Sequence, residues 1–209
     1  MKTLVIGANG QIGRQFCELA KATGVPVRAM IRDSNQQRWF QERSIETVIA
    51  DLEGSLRHAF YGCDQVVFAA GSGPHTGPDK TLMIDLNGAV RTADLASELG
   101  LSRVIQVSAI RAEEPLKAPD NMRPYMAAKN AADAHLRAAQ IPHVILKPGR
   151  LTDEQATQLV ATSLEEAGDN HVSRANVAHV LLHLVQNRQL FNREFTLLDG
   201  DRAIADAIV

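Results

Sequence analysis

Cysteine is scarce in this 209-residue chain, with only Cys17 and Cys63, and their spacing suits neither a disulfide framework nor a metal cluster. Both read as ordinary reduced thiols. Aromatic residues make up 4%, and 22 basic residues nearly balance 24 acidic ones for a net charge of −2, with no run of lysine or arginine. A nucleic-acid partner is therefore not expected. No stretch is long and apolar enough to cross a bilayer and none at the start resembles a signal segment, so the expectation is a cytoplasmic protein with no membrane partner. Internal repeats, low-complexity tracts and breaks in composition are lacking too. With 45% hydrophobic residues the chain can bury a substantial core, and one domain over residues 1–209 is the default.

What is present begins at once. Residues 2–6 read as a buried strand and run directly into Gly7-Ala8-Asn9-Gly10-Gln11-Ile12-Gly13, after which Ile12, Phe16, Leu19 and Ala20 share one face of a helix. This is the pattern of a dinucleotide site. The first glycine permits a tight turn off the strand, the second leaves room for a pyrophosphate to meet the backbone, and the third allows close packing of helix on sheet. The anion then sits on free N–H groups at the positive end of the helix dipole. The spacing alone is weak, and the strand before it with the helix after it supplies the specificity.

A second strand at 25–31 ends at Arg32, followed by Asp33. Enzymes that select the unphosphorylated cofactor place an acid at the end of this strand for the ribose 2′-hydroxyl, whereas an arginine there can pair with a 2′-phosphate. NADP is expected over NAD. The plainer alternative makes Arg32 a solvated loop charge and Asp33 or Ser34 the cap of a helix starting near Asn35.

Further strand-like runs at 47–50, 65–70, 103–107, 143–146 and 194–198 alternate with helical patterns, which predicts a doubly wound, mostly parallel Rossmann-type α/β sheet. The longest helix candidate spans about 80–99 and stops at Gly100. Residues 71–78 form the one conspicuously Gly/Pro-rich loop, placed directly after the fourth strand where ligands bind in such sheets. Between the sixth strand and a helix at 176–185 there is room only for a short substrate-side insertion, 149–175, a minimal C-terminal substrate region. Large substrates are disfavoured, and the oligomeric state stays open with a monomer slightly favoured.

Tyr125 and Lys129 lie four apart in a predicted helix over 124–139, so both project from one face. A tyrosine, with a reference pKa of about 10, is a poor acid or base at neutral pH, and a nearby ammonium stabilises its phenolate. Lysine can also bond a cofactor ribose.

Taken together, the Gly7/Gly10/Gly13 loop, Asp51-Leu52, Ala69-Ala70-Gly71-Ser72-Gly73, Val107-Ser108, Tyr125 to Lys129, Leu146 to Arg150 and Ser173 to Ala178 carry a resemblance over nearly the whole length. The chain resembles an atypical, single-domain short-chain dehydrogenase/reductase with an NAD(P)H-binding domain similar to NmrA-like proteins. That resemblance implies that Asn9, Gly10, Gln11 and Ile12 bind pyrophosphate through backbone and side chain. It further implies that Asp51 and Leu52 contact adenine, that Ala69, Ala70 and Gly71 line the adenosine and ribose side, and that Pro148 lies by the nicotinamide carboxamide. One position departs from the pattern. Members with a full serine-tyrosine-lysine set carry consecutive serines, or a serine or threonine slightly later, where this chain reads Val107-Ser108-Ala109-Ile110. Only Ser108 is available as a catalytic hydroxyl, and it could instead simply hydrogen-bond the strand end.

The expected function is an NADP-dependent oxidoreductase or epimerase-like enzyme of a small organic substrate, with Tyr125 as proton donor or acceptor. Lys129 would modulate its pKa and bind ribose. Alternatives are a flavin or quinone reductase that dispenses with the tyrosine, and a non-catalytic NADP(H)-sensing protein. No metal is expected. His179 and His183, four apart on a helix, read as a satisfied helix face rather than ligands, and His75, in the 71–78 loop, is a weaker candidate for touching substrate. Glu113 and Glu114 read as solvated acids.

Overall fold

The computed structural model describes residues 1–73 and 75–209. β1 (Thr3–Ile6) leads into α1 (Gln11–Ala22), and β2 (Val27–Ile31) into a 3-10 turn and α2 (Gln37–Gln41). β3 (Glu46–Ile49) and β4 (Gln65–Phe68) follow. A continuous helical run then joins α3 (Pro78–Lys80), a π-helical stretch (Thr81–Gly88) and α4 (Ala89–Glu98). β5 (Val104–Val107), α5 (Arg123–Ala138) and β6 (His143–Pro148) complete the central pattern. Beyond them come β7 (Arg150–Thr152), β8 (Leu159–Ala161), α6 (Leu164–Ala167), β9 (His171–Ser173) and α7 (Arg174–Gln186). β10 (Arg193–Asp199), β11 (Arg202–Ala203) and α8 (Ile204–Ala207) end the chain.

The main sheet has the order β11-β8-β10-β6-β5-β4-β1-β2-β3. It is parallel from β3 to β10, and β8 and β11 close the far edge antiparallel. β1, β4 and β5 are buried along their whole length, as parallel strands covered on both faces must be, which is why they read as unbroken apolar runs. One face carries α1 and α7, with Phe16, Cys17, Ala20, Val177, Leu181 and Leu184 in a common core, and the other carries α4 and α5 through Ala89, Ala93, Ala96, Ala132 and Leu136. The chain moves to opposite sides of β1 to lay down β2 and β4. That reversal opens a crevice at the carboxyl ends of those strands.

Two elements differ from the sequence reading. Residues 80–99 are not one α-helix, because eight of them are π-helical, and the Gly88 Cα there lies so close to Leu52 that an added Cβ would stand 3.0 Å from Leu52 Cδ1. The 149–175 segment is also more ordered than a simple insertion. It builds β7 and β9, paired parallel in a separate two-stranded sheet, and β8, which joins the main one. Three-residue strands are too short for any period to register.

Glu194, on β10, receives Arg137 Nη2 at 2.9 Å and Lys147 Nζ at 2.9 Å, tying α5, β6 and β10 together. The Arg137 hydrogen bond is the main cause that holds its carboxyl down at about 2. A carboxylate depressed on folding contributes stability above its unfolded pKa and loses it as pH falls through the folded value. Denaturant melts should therefore show stability dropping between the ordinary value of 4.5 and about 2, and Glu194→Gln should flatten that part of the profile.

Candidate active site

The β1–α1 turn is shaped by its glycines. Gly7 has φ +86°, and a Cβ on it would lie 2.5 Å from Ala70 N, so this turn touches the backbone that follows β4. A Cβ on Gly13 would strike Gly7 O and lie 2.7 Å from Ala8 Cα, which keeps helix and strand in close contact. Gly10 is the N-cap of α1 and offers no side-chain cap, and the first turn holds no acid. The first amides of this helix therefore receive no hydrogen bond from a side chain of the N-cap residue.

In front of them lies a groove of about 340 Å³. Gly7, Asn9, Gly10, Arg32, Leu52, Ala69, Ala70 and Gly71, all candidates from the sequence, line it. Gln11, Ile12, Asp51, Lys129 and Pro148 are not among its lining residues. Asp51 instead turns its Oδ1 to the Glu53 N–H at 3.0 Å, and Pro148 is buried at the end of β6. The structure adds Ile6, Met30, Gln36, Lys80 and Ile84 to the groove, together with Ser72 and Thr76 from the 71–78 loop.

Arg32 follows β2 directly, its backbone N–H donates to Gln36 Oε1 at 3.1 Å, and the residue is exposed at the edge of the groove it helps to line. Asp33 Oδ1 accepts from the Asn35 N–H at 2.8 Å. Asp33 is thus the cap the alternative reading named, without displacing Arg32. The sequence reading missed Arg14. Its Nε and Nη2 lie 3.1 and 2.6 Å from Asn9 Oδ1, and its guanidinium sits 4.9 Å from the Trp39 ring centroid.

Tyr125 and Lys129 stand one turn apart on α5. Tyr125 is half-buried and Lys129 is 3% exposed, its Nζ donating to Val107 O at 2.6 Å and lying 6.0 Å from the Tyr125 ring centroid. Ser108 is turned inward. Its Oγ donates to Asp133 Oδ2 at 2.6 Å, beside Gln106 Nε2 on Oδ1 at 2.7 Å, and burial is the main cause that raises the Asp133 carboxyl pKa. The hydroxyl proton expected to polarise a carbonyl is therefore committed to a buried carboxylate, because Asp133 arrives on α5 one turn beyond Lys129.

Other candidates fall into place. His183 Nε2 meets Ile208 O at 3.0 Å, and His179 is kept below its ordinary pKa by burial, which leaves a packed helix face. His75 is exposed, in a loop whose Pro74 lies outside the described residues. Glu113 pairs with Lys147 at 3.4 Å and Glu114 with Lys117. Cys17 and Cys63 are both free, and burial pushes the Cys17 thiol up to about 12. Glu154, His171 and Asp199 bring one ligand atom each within 4.8 Å of one another. Asp199 there already accepts from the Ser173 N–H and Asn176 Nδ2 at the start of α7, a role that needs no cation. A second concavity of about 550 Å³ is lined by residues preceding β1, β4, β5 and β6, so it opens on the opposite side of the sheet.

A parallel sheet with a glycine-shaped, uncapped helix start at its switch point defines a Rossmann-like dinucleotide-binding protein. Residues 7–188 match a family model described as NAD(P)H-binding, and the chain belongs to that family. It is 37% identical over 212 residues to the uncharacterized sugar epimerase YhfK of Bacillus subtilis, covering 100% of this chain and 99% of that one. A solved Bacillus halodurans protein, described as an NAD-dependent epimerase/dehydratase, superposes with a TM-score of 0.94 at 39% identity over 100% of this chain and 98% of the other. The Citrobacter triphenylmethane reductase complexed with NADP(H) shares the fold, with a TM-score of 0.73 at 20% identity over 95% of this chain and 70% of its own.

Proposed function

We propose that this protein is an NADP-dependent oxidoreductase or epimerase-like enzyme of a small organic substrate, built as a single domain with 149–175 on the substrate side. The observation that carries this reading is the pairing of an uncapped α1 start, facing a groove that holds Arg32, with the buried Lys129 one turn from Tyr125. The residues fit the cofactor. The first amides of α1 after Gly10 would receive pyrophosphate, where a side chain on Gly10 would crowd the cradle, and Arg32 would take the 2′-phosphate through charge-assisted bonds. When bound, the nicotinamide supplies or accepts hydride. Tyr125 moves the accompanying proton at its phenol oxygen, and Lys129 places a positive charge against its ring side.

One observation supports a second reading. With the Ser108 proton given to Asp133, the end of β5 offers no free hydroxyl from that residue, which suits hydride transfer to a stacked flavin or quinone that needs no protein acid. NADPH oxidation by purified protein across quinones, flavins and small carbonyls decides between them, since only the first reading needs Tyr125.

Arg32 makes the cofactor choice separately testable. Calorimetry should give NADPH an affinity at least several-fold above NADH, and Arg32→Ala should remove most of the difference. Equal affinities in the parent protein would return NAD to consideration.

A further inference from the structure

A buried acceptor is left over at the wall of the groove. Asp85, in the π-helical stretch, is 1% exposed, and its Oδ2 accepts from the Ser72 N–H at 3.0 Å, while Oδ1 is buried with no hydrogen-bond partner among the described residues. That oxygen has two neighbours of interest. Lys129 Nζ is 3.9 Å away, beyond hydrogen-bond reach, and a Cβ added to Gly71 would stand 3.2 Å from it. Gly71, Ser72 and Ile84, on either side of Asp85, all line the groove. Because Gly71 has no side chain, nothing of its own stands between the oxygen and a ligand.

Buried carboxylate oxygens are costly to leave unpaired, and an exception of this kind calls for a partner that arrives from outside. Val107 O takes one of the three N–H donors of Lys129. The gap between the remaining ammonium donors and Oδ1 suits a group that can accept and donate at once. A hydroxyl does both, with its oxygen about 2.8 Å from each partner. An amide N–H or a phosphate oxygen could satisfy only one side.

We propose that Asp85 and Lys129 together hold a ribose hydroxyl on the nicotinamide side of the bound dinucleotide, which accepts from the ammonium and donates to Asp85 Oδ1. The assignment to that ribose follows from Lys129, which stands one turn from Tyr125 on α5, whereas Arg32 stands after β2, beyond β1 and β4 in the sheet order. It rests on the dinucleotide reading of the groove. π-helical turns occur disproportionately at functional sites, and this one carries the unpaired acceptor.

The test is calorimetry with NADPH and with 2′,5′-ADP, which keeps the phosphorylated adenosine half and lacks the second ribose. Asp85→Asn retains size and one acceptor for the Ser72 N–H, but cannot also accept from a hydroxyl. It should weaken NADPH by about ten-fold or more and leave 2′,5′-ADP within about two-fold. Asp85→Ser, which shortens the side chain and removes the unpaired Oδ1 without touching the groove backbone, should show the same preference for damaging NADPH, and decides the matter alone should thermal melts show Asp85→Asn unfolded. Equal loss for both nucleotides in folded variants, or undiminished NADPH affinity, would overturn the role of Asp85. Failure of the parent protein to bind either nucleotide would overturn the dinucleotide reading, and this assignment with it.

Discussion

Replacing Gly10 by valine is expected to leave a folded protein that no longer binds dinucleotide, whereas the same change at Gly13 should damage the fold itself. The two glycines are three residues apart in one loop, yet their surroundings differ. A Cβ on Gly10 meets only Gly7 O, at 3.2 Å, and the added methyls project into the groove that Gly10 lines. A Cβ on Gly13 meets Gly7 O and the Ala8 backbone at the centre of the helix–sheet contact. Overpacking of this kind costs about 1–3 kcal/mol or more, which for a chain of this length lowers the melting temperature by roughly 2–12 °C. Circular dichroism melts beside calorimetric titration separate the outcomes. A Gly10→Val variant that bound NADPH normally would make the loop structural only.

The second large effect concerns chemistry. With an active carbonyl substrate in hand, Tyr125→Phe should lower turnover by on the order of 10²-fold or more while cofactor affinity barely changes, because the phenol contributes a proton rather than a binding contact. Lys129→Met should be worse. It removes the charge beside the tyrosine and a ribose donor, and it leaves Asp85 buried against a methyl group with no counter-ion. Turnover and NADPH affinity should fall together, which steady-state kinetics and titration read independently. A Tyr125→Phe variant that reduced the substrate at the parent rate would favour hydride transfer without a protein acid.

The parts of this molecule that could be read from its sequence are those whose physics is local. β1, β4 and β5 announce themselves because strands buried on both faces are apolar at every position. The glycine loop and the Tyr125–Lys129 step are likewise set by spacing along a few residues. What escaped depends on partners that arrive late in the chain. β8 exists because Val160 pairs with Asp199 on β10 and Arg202 on β11, and nothing in Leu159–Ala161 alone announces that pairing. Ser108 offered a hydroxyl at a strand end, but its direction is decided by Asp133, 25 residues further on. Arg14 showed no role until Trp39 came to lie beneath it. The Asp85–Lys129 pairing spans two helices in the same way.

The uncapped start of α1 has a consequence for the whole molecule. A helix usually satisfies its first amides from its own sequence, and here Gly10 withholds that satisfaction while Gly7 presses the same turn against Ala69 and Ala70. A dinucleotide bound as proposed would therefore act on the junction of β1 and β4, which are neighbours in the sheet. Binding to the native state alone shifts the unfolding equilibrium by mass action, by about 2.7 kcal/mol at a hundred-fold excess over Kd. On that proposal the conformational stability of this protein would be linked to the size of the nucleotide pool, and depletion of that pool would act on the lifetime of the polypeptide as well as on its proposed activity.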